Sequence, residues 1–129
     1  MAKIAVVEDN AAVRQELCGF IAQYAQESGQ LLEVTPFADG SQIVEPYRPG
    51  FDIIFLDIEM PTLGGMPTAE RIRLLDPDVV LIFVTNMAQY AIHGYEVDAV
   101  DFIVKPISYY VFVDKLKKAL RYLNLNKEN

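Results

Sequence analysis

The feature that most constrains this chain is a pair of apolar runs without alternation, Ile53-Ile54-Phe55-Leu56 and Val79-Val80-Leu81-Ile82-Phe83-Val84. A strand with one face in water shows a polar residue at every second position, whereas a strand covered on both faces reads as a continuous apolar run. Both runs are rich in β-branched residues and far too short to cross a membrane as a helix. They predict central strands of a sheet that lies between two layers of helices. Strands are expected at Lys3–Glu8, Leu32–Phe37, Asp52–Asp57, Val79–Thr85 and Asp101–Lys105, with helical patterns between them. Val13, Leu17, Phe20, Ile21 and Tyr24 fall at helical spacing behind an N-cap at Asn10. Pro67 suits a first helical turn, with Ala69, Ile72 and Leu75 following. Tyr109, Phe112, Val113, Leu116, Leu120 and Leu123 make the stripe of the last helix, which Ser108 opens. The expected fold class is therefore α/β, a five-stranded doubly wound parallel sheet with helices on both faces. Residues 1–123 form the domain, and the polar stretch 124–129 reads as a linker or tail.

Composition narrows the class. The 129 residues suffice for one core without disulfides, and the single cysteine, Cys18, excludes an intrachain disulfide. Cys18 sits beside the apolar stripe of the first helix and reads as a packed, inert thiol. The apolar run at the N-terminus is too short for a signal peptide, so a cytoplasmic location is expected and no membrane contact. A net charge of −7 argues against direct contact with a nucleic-acid backbone by this segment.

In an open parallel sheet, ligands gather beyond the carboxyl ends of the strands. Here the first strand ends in Glu8-Asp9, the third in Asp57 with Glu59 two residues on, the fourth in Thr85 and the fifth in Lys105-Pro106. The second ends in Phe37 and is expected to carry no chemistry. Three carboxylates at one sheet edge repel each other unless protons or a cation join them. A hard divalent ion such as Mg2+ meets that need. Lys105 adds a movable positive charge, and Thr85 a donor for an incoming anion. A carboxylate nucleophile is one way to hold a phosphoryl group, as an aspartyl phosphate.

Glu8-Asp9, Asp57 with Met60-Pro61 after it, Thr85 and Lys105-Pro106, in this order and spacing, resemble the receiver domain of bacterial two-component response regulators. The resemblance covers nearly the whole chain and implies a flavodoxin-like strand order of 2-1-3-4-5. It implies that Asp57 accepts a phosphoryl group from a sensor histidine kinase. Glu8, Asp9, Asp57 and the backbone carbonyl of Glu59 would hold Mg2+. Lys105 would pair with the phosphoryl group, Pro106 would follow a cis peptide, and Thr85 with Phe102 would form the switch of the face made by the fourth helix, fifth strand and fifth helix. Such a domain is a signalling switch rather than an enzyme. Residues 90–102, Tyr-Ala-Ile-His-Gly-Tyr-Glu-Val-Asp-Ala-Val-Asp-Phe, are similar to receivers that precede a LytTR-type DNA-binding domain. That similarity implies a transcription regulator whose effector domain follows Asn129. Asn86 departs from the small residue common at that place, which bears on access of an attacking water.

Each residue also has a plainer reading. Asp57 alone would be a surface or capping acid, and Glu8 and Asp9 could simply favour the positive end of the first helix. Phe102 could be core. His93 reads as a surface helix residue. Lys115, Lys117, Lys118 and Arg121 are most simply the solvated face of the last helix, although a homodimer could pair them with acids near Glu96–Asp101 of a second copy. A haloacid-dehalogenase-type phosphatase also uses an aspartyl phosphate, but its nucleophile belongs to the first strand and its late acidic pair is missing here. A flavin-binding module would need a hydroxyl- and glycine-rich loop where Glu8-Asp9-Asn10 stands. A stand-alone signalling receiver remains the alternative to a DNA-binding regulator.

Overall fold

The computed structural model describes residues 1–86 and 88–128, and only the backbone of residues 90–93, 95 and 125–128. Five strands, β1 (Ala2–Val7), β2 (Leu32–Phe37), β3 (Ile53–Asp57), β4 (Val80–Thr85) and β5 (Asp101–Val104), make one sheet in the order β2-β1-β3-β4-β5. Every pairing is parallel. The helices are α1 (Ala11–Ser28), α2 (Gly40–Val44), α3 (Gly65–Leu75) and α4 (Tyr109–Glu128), and a 3₁₀ segment, η1 (Ala88–Val97), precedes β5. The expected strands are present, shifted by at most a residue at their ends.

The two-sided burial read from the apolar runs is visible residue by residue. Ile4, Val6, Ile53, Phe55, Ile82, Val84 and Ile103 point to one face, where Leu17 and Ile21 of α1 and Phe112 and Leu116 of α4 cover them. Ala5, Val7, Ile54, Leu56, Leu81 and Phe83 point to the other, against Ile43 of α2, Ala69 and Ile72 of α3 and Val97 of η1. The strand period of two splits each continuous run between two cores. Each fully buried aliphatic or aromatic side chain adds about 1.5–3 kcal/mol of burial free energy, so both layers are needed to hold the sheet. Phe55 and Phe112 stack at 4.8 Å between centroids and join β3 to α4. Cys18 packs half-buried against the first core, and burial pushes its thiol pKa up.

Local chemistry explains the helix ends. Asn10 caps α1 by accepting the Val13 N–H at 3.1 Å, and Gly29 closes it in the left-handed conformation at φ 73°. Ser108 accepts the Val111 N–H at 3.2 Å at the start of α4, whose backbone continues to Glu128, past the last apolar position of its stripe.

Two expectations are corrected. Leu75 does not belong to the buried stripe of α3: it is 60% exposed, and the inner face is made by Gly65, Thr68, Ala69 and Ile72. The helix ends there, at Asp76, before another turn can face the sheet. The fourth helical segment is 3₁₀ rather than α-helical, in keeping with Ile92, His93, Gly94, Tyr95 and Val97, all poor helix formers. Its Gly94 is buried, and a Cβ there would come within 3.3 Å of Ala99 Cβ. The side chain of His93 lies outside the described residues. The short α2, hidden in the sequence between β2 and the turn at Pro46, is capped by Asp39.

One side chain fastens the trailing end of η1. The Arg73 guanidinium on α3 donates to five carbonyls, those of Val97 (2.6 Å), Asp98 (3.2 Å), Val79 (2.6 Å), Pro77 (3.1 Å) and Asp76 (3.3 Å).

The packing gives a direct test. Phe112→Ala, at the junction of α1, α4 and β3, should cost about 3–5 kcal/mol in chemical denaturation. Leu74→Ala, at an 86% exposed position on α3, should stay within about 0.5 kcal/mol of the parent.

Candidate functional site

The carboxyl ends of β1, β3, β4 and β5 converge on one depression, lined among others by Glu8, Asp9, Asp57, Thr85 and Lys105, with Glu59, Met60, Pro61, Asn10 and Asn86 at its walls. Parallel register brings them together. Asp57 is the last residue of β3 and pairs with Val84, while Thr85 at the end of β4 pairs with Val104 and accepts the Lys105 N–H at 2.8 Å through its carbonyl. The Glu8 N–H donates to the Phe37 carbonyl of β2 at 3.0 Å, and Arg14 of α1 donates to the Glu8 carbonyl at 2.7 Å. Glu8 is therefore held from both sides where β1 gives way to the loop. The Lys105–Pro106 peptide is cis, as expected.

Burial divides the acids. Glu8 is 1% exposed and Asp57 5%, whereas Asp9 is open to solvent. One carboxylate oxygen from each lies within 4.8 Å of the others. The Lys105 ammonium stands 2.5 Å from Glu8 Oε1 and 3.6 Å from Asp57 Oδ2. The Lys105 ammonium is the charged partner of the buried Glu8 Oε1. With three carboxylates ionised against one ammonium, the depression keeps an excess of negative charge.

The electrostatic consequence is clear at Asp57. Burial, then the Glu8 carboxyl beside it, and Asp9 to a smaller degree, push its pKa up to about 7, against the pull of Lys105. At Lys105, burial favours the neutral amine, but Glu8 and Asp57 together outweigh it and hold the pKa above the usual lysine value. Glu8, Asp9 and Asp57 could therefore hold a divalent cation. The donors are all hard oxygens, and three acids share one ammonium.

Residues 4–119 match the response regulator receiver domain family. This chain belongs to that family. The receiver domain is 28% identical over 132 residues to the sensory transduction protein LytT of Oceanobacillus iheyensis, covering 96% of this chain and 51% of that protein. It is 32% identical over 105 residues to the transcriptional regulatory protein YpdB of Escherichia coli K12, covering 81% of this chain and 41% of that protein. The chain thus spans about half the length of the curated relatives it matches. Among solved structures, the response regulator TrrA of Thermotoga maritima in complex with Mg2+-BeF superposes with a TM-score of 0.75 at 28% identity, over 92% of this chain and 99% of that one.

The remaining singled-out residues lie away from the depression. Phe102 stands on the η1 side of β5, 38% exposed, with Val104 beside it at 41%. Both the Lys115 and Lys118 ammonium groups meet Asp101 Oδ2 of the same chain, at 2.9 and 3.0 Å. These contacts, with the Phe102 N–H, outweigh the effect of burial and hold the Asp101 pKa below the usual carboxylate range. Lys117 lies 6.0 Å from the Tyr24 ring. No described helix is long and apolar enough to cross a membrane. What the receiver domain's sequence did not disclose is Asp39, a buried acid two residues past the supposedly inert end of β2.

The raised Asp57 pKa fixes a pH dependence. The folded domain favours protonated Asp57, so this group contributes stability at acid pH that fades as pH rises from about 4 towards about 7. In metal-free buffer, Asp57→Asn should therefore match the parent at pH 4 and exceed it by on the order of 1–2 kcal/mol at pH 8. Thermal melts at the two pH values measure the difference. Equal stability at both, or a parent more stable at pH 8, would contradict the repulsion described above.

Proposed function

We propose that this receiver domain accepts a phosphoryl group on Asp57 from a sensor histidine kinase. In this reading it then acts as a switch on a C-terminal LytTR-type DNA-binding domain. The observation that carries the reading is the placement of Asp57: buried at the carboxyl end of β3, beside Glu8 and Asp9 and 3.6 Å from the Lys105 ammonium. A carboxylate nucleophile, acids able to hold a cation and a lysine within reach of the product are the parts that phosphoryl transfer needs.

In the mechanism, an ionised oxygen of Asp57 attacks phosphorus of a phosphohistidine. The new O–P bond forms as the N–P bond breaks, and the imidazole nitrogen keeps the electron pair. Glu8, Asp9, Asp57 and the Glu59 carbonyl would hold Mg2+, which supplies neutralising charge for the transferring group. Lys105 leaves its pairing with Glu8 and Asp57 to meet the phosphoryl oxygens. Thr85 donates its hydroxyl to one of them and draws the β4 end inward. Phe102, now half-open on β5, turns toward the space so released, and the face of η1, β5 and α4 takes a second packing. That face, with its exposed Phe102 and Val104, is where a second receiver would pair. The DNA-binding output rests on likeness to LytT and YpdB and on the stretch from residue 90 to 102.

Intact-mass measurement with Mg2+ and acetyl phosphate tests the reading. One phosphoryl adduct is expected on the parent, and none on Asp57→Asn or without a divalent cation. An adduct that persists in Asp57→Asn would move the acceptor elsewhere, and continuous hydrolysis of a phosphomonoester would replace the switch by a phosphatase.

A further inference from the structure

The end of β2, which carries no reactive group, reaches the site by another route. Asp39 is 8% exposed and lies outside the depression. Its carboxylate accepts three backbone N–H groups: Ser41 at 2.9 Å, which caps α2, and Thr62 at 3.1 Å and Leu63 at 3.0 Å, in the loop that follows Asp57. Burial disfavours the charge, but these donors outweigh it and hold the Asp39 pKa below the usual carboxylate range.

The same loop is fixed at further points. The Thr68 hydroxyl donates to the Gly64 carbonyl at 2.8 Å, and the Gly65 N–H to the Ile58 carbonyl at 2.7 Å. Neither glycine beside these contacts has room for a Cβ. At Gly40 it would collide with the Thr68 hydroxyl and lie 2.6 Å from the Leu63 carbonyl, and at Gly65 it would collide with the Asp57 carbonyl oxygen. The loop between Asp57 and α3 is thus pressed onto the start of α2, and Asp39 is the charged group in that contact.

We propose that Asp39 is a positioning residue for the phosphoryl site. By gripping the Thr62 and Leu63 amides it sets the path of residues 58–64, and with it the Glu59 carbonyl and the Met60-Pro61 wall facing Asp57. The inference rests on the phosphoacceptor reading above. Groups that orient metal-ligating residues from behind typically cost about 10–100-fold in metal affinity or activity when lost.

Asp39→Ser separates the two jobs of this carboxylate, because serine still caps α2 but is too short to span to Thr62 and Leu63. The expected result is faster amide hydrogen exchange across residues 58–64, with α2 still protected. Calorimetric Mg2+ titration should show a dissociation constant about tenfold higher. Phosphorylation by acetyl phosphate should need proportionately more Mg2+ for half-saturation while approaching the parent rate at saturating Mg2+. Asp39→Asn, which keeps one acceptor oxygen, should fall between the two. Tyr47→Phe, which removes a 2.6 Å hydrogen bond to Asp76 remote from the site, should lower stability without moving the Mg2+ constant. Parent-like Mg2+ binding and exchange in Asp39→Ser would overturn the inference and leave Asp39 a helix cap. A parent protein that neither binds Mg2+ nor takes up phosphoryl would remove the phosphoacceptor reading itself, and this inference with it.

Discussion

The Lys105 ammonium between Glu8 and Asp57 is the contact on which the site depends. Two carboxylates that are almost wholly removed from water would otherwise face each other across a low-dielectric gap, where like charges interact far more strongly than at the surface. One cation is not enough to settle three acids. The imbalance falls on Asp57, whose pKa burial and the neighbouring Glu8 carboxyl push up to about 7 against the pull of Lys105. That tension gives the site its chemistry. A pocket already neutral would have no preference for a divalent ion.

The sheet makes this arrangement possible. Because β1, β3 and β4 are buried on both faces, their ends are fixed to within the play of close-packed side chains. Parallel pairing then delivers every carboxyl end to the same edge. Reactive groups borne on four separate strands meet without any of them belonging to a regular element that must bend to reach the others. The Asp101 pairing with Lys115 and Lys118 does similar work at the far side, tying β5 to α4 within one chain.

The parts legible in the sequence were those carried by local pattern. Ile53–Leu56 and Val79–Val84 announced the buried strands, and Glu8, Asp9, Asp57, Thr85 and Lys105 were visible because each follows such a run. Asn10 and Ser108 stood where caps belong. Less legible were features that depend on partners distant in the chain. The inner face of α3 is partly made by Gly65 and Thr68, which a search for large apolar residues passes over, so Leu75 was drawn into a stripe it does not share. Asp39 carries no such local signal, because its partners Thr62 and Leu63 lie more than twenty positions away. Lys115 and Lys118 read as a solvated face because sequence alone does not pair them with Asp101.

Arg73 adds a mechanical property to this picture. Its guanidinium gathers five carbonyl dipoles, two from the junction of η1 and β5 and three from the approach to β4. A segment anchored so firmly at its trailing end can rotate about that end, but it cannot slide as a whole. The Val97 end of the segment is therefore tied at once to α3 and to the chain entering β4, so that end cannot shift unless both move with it.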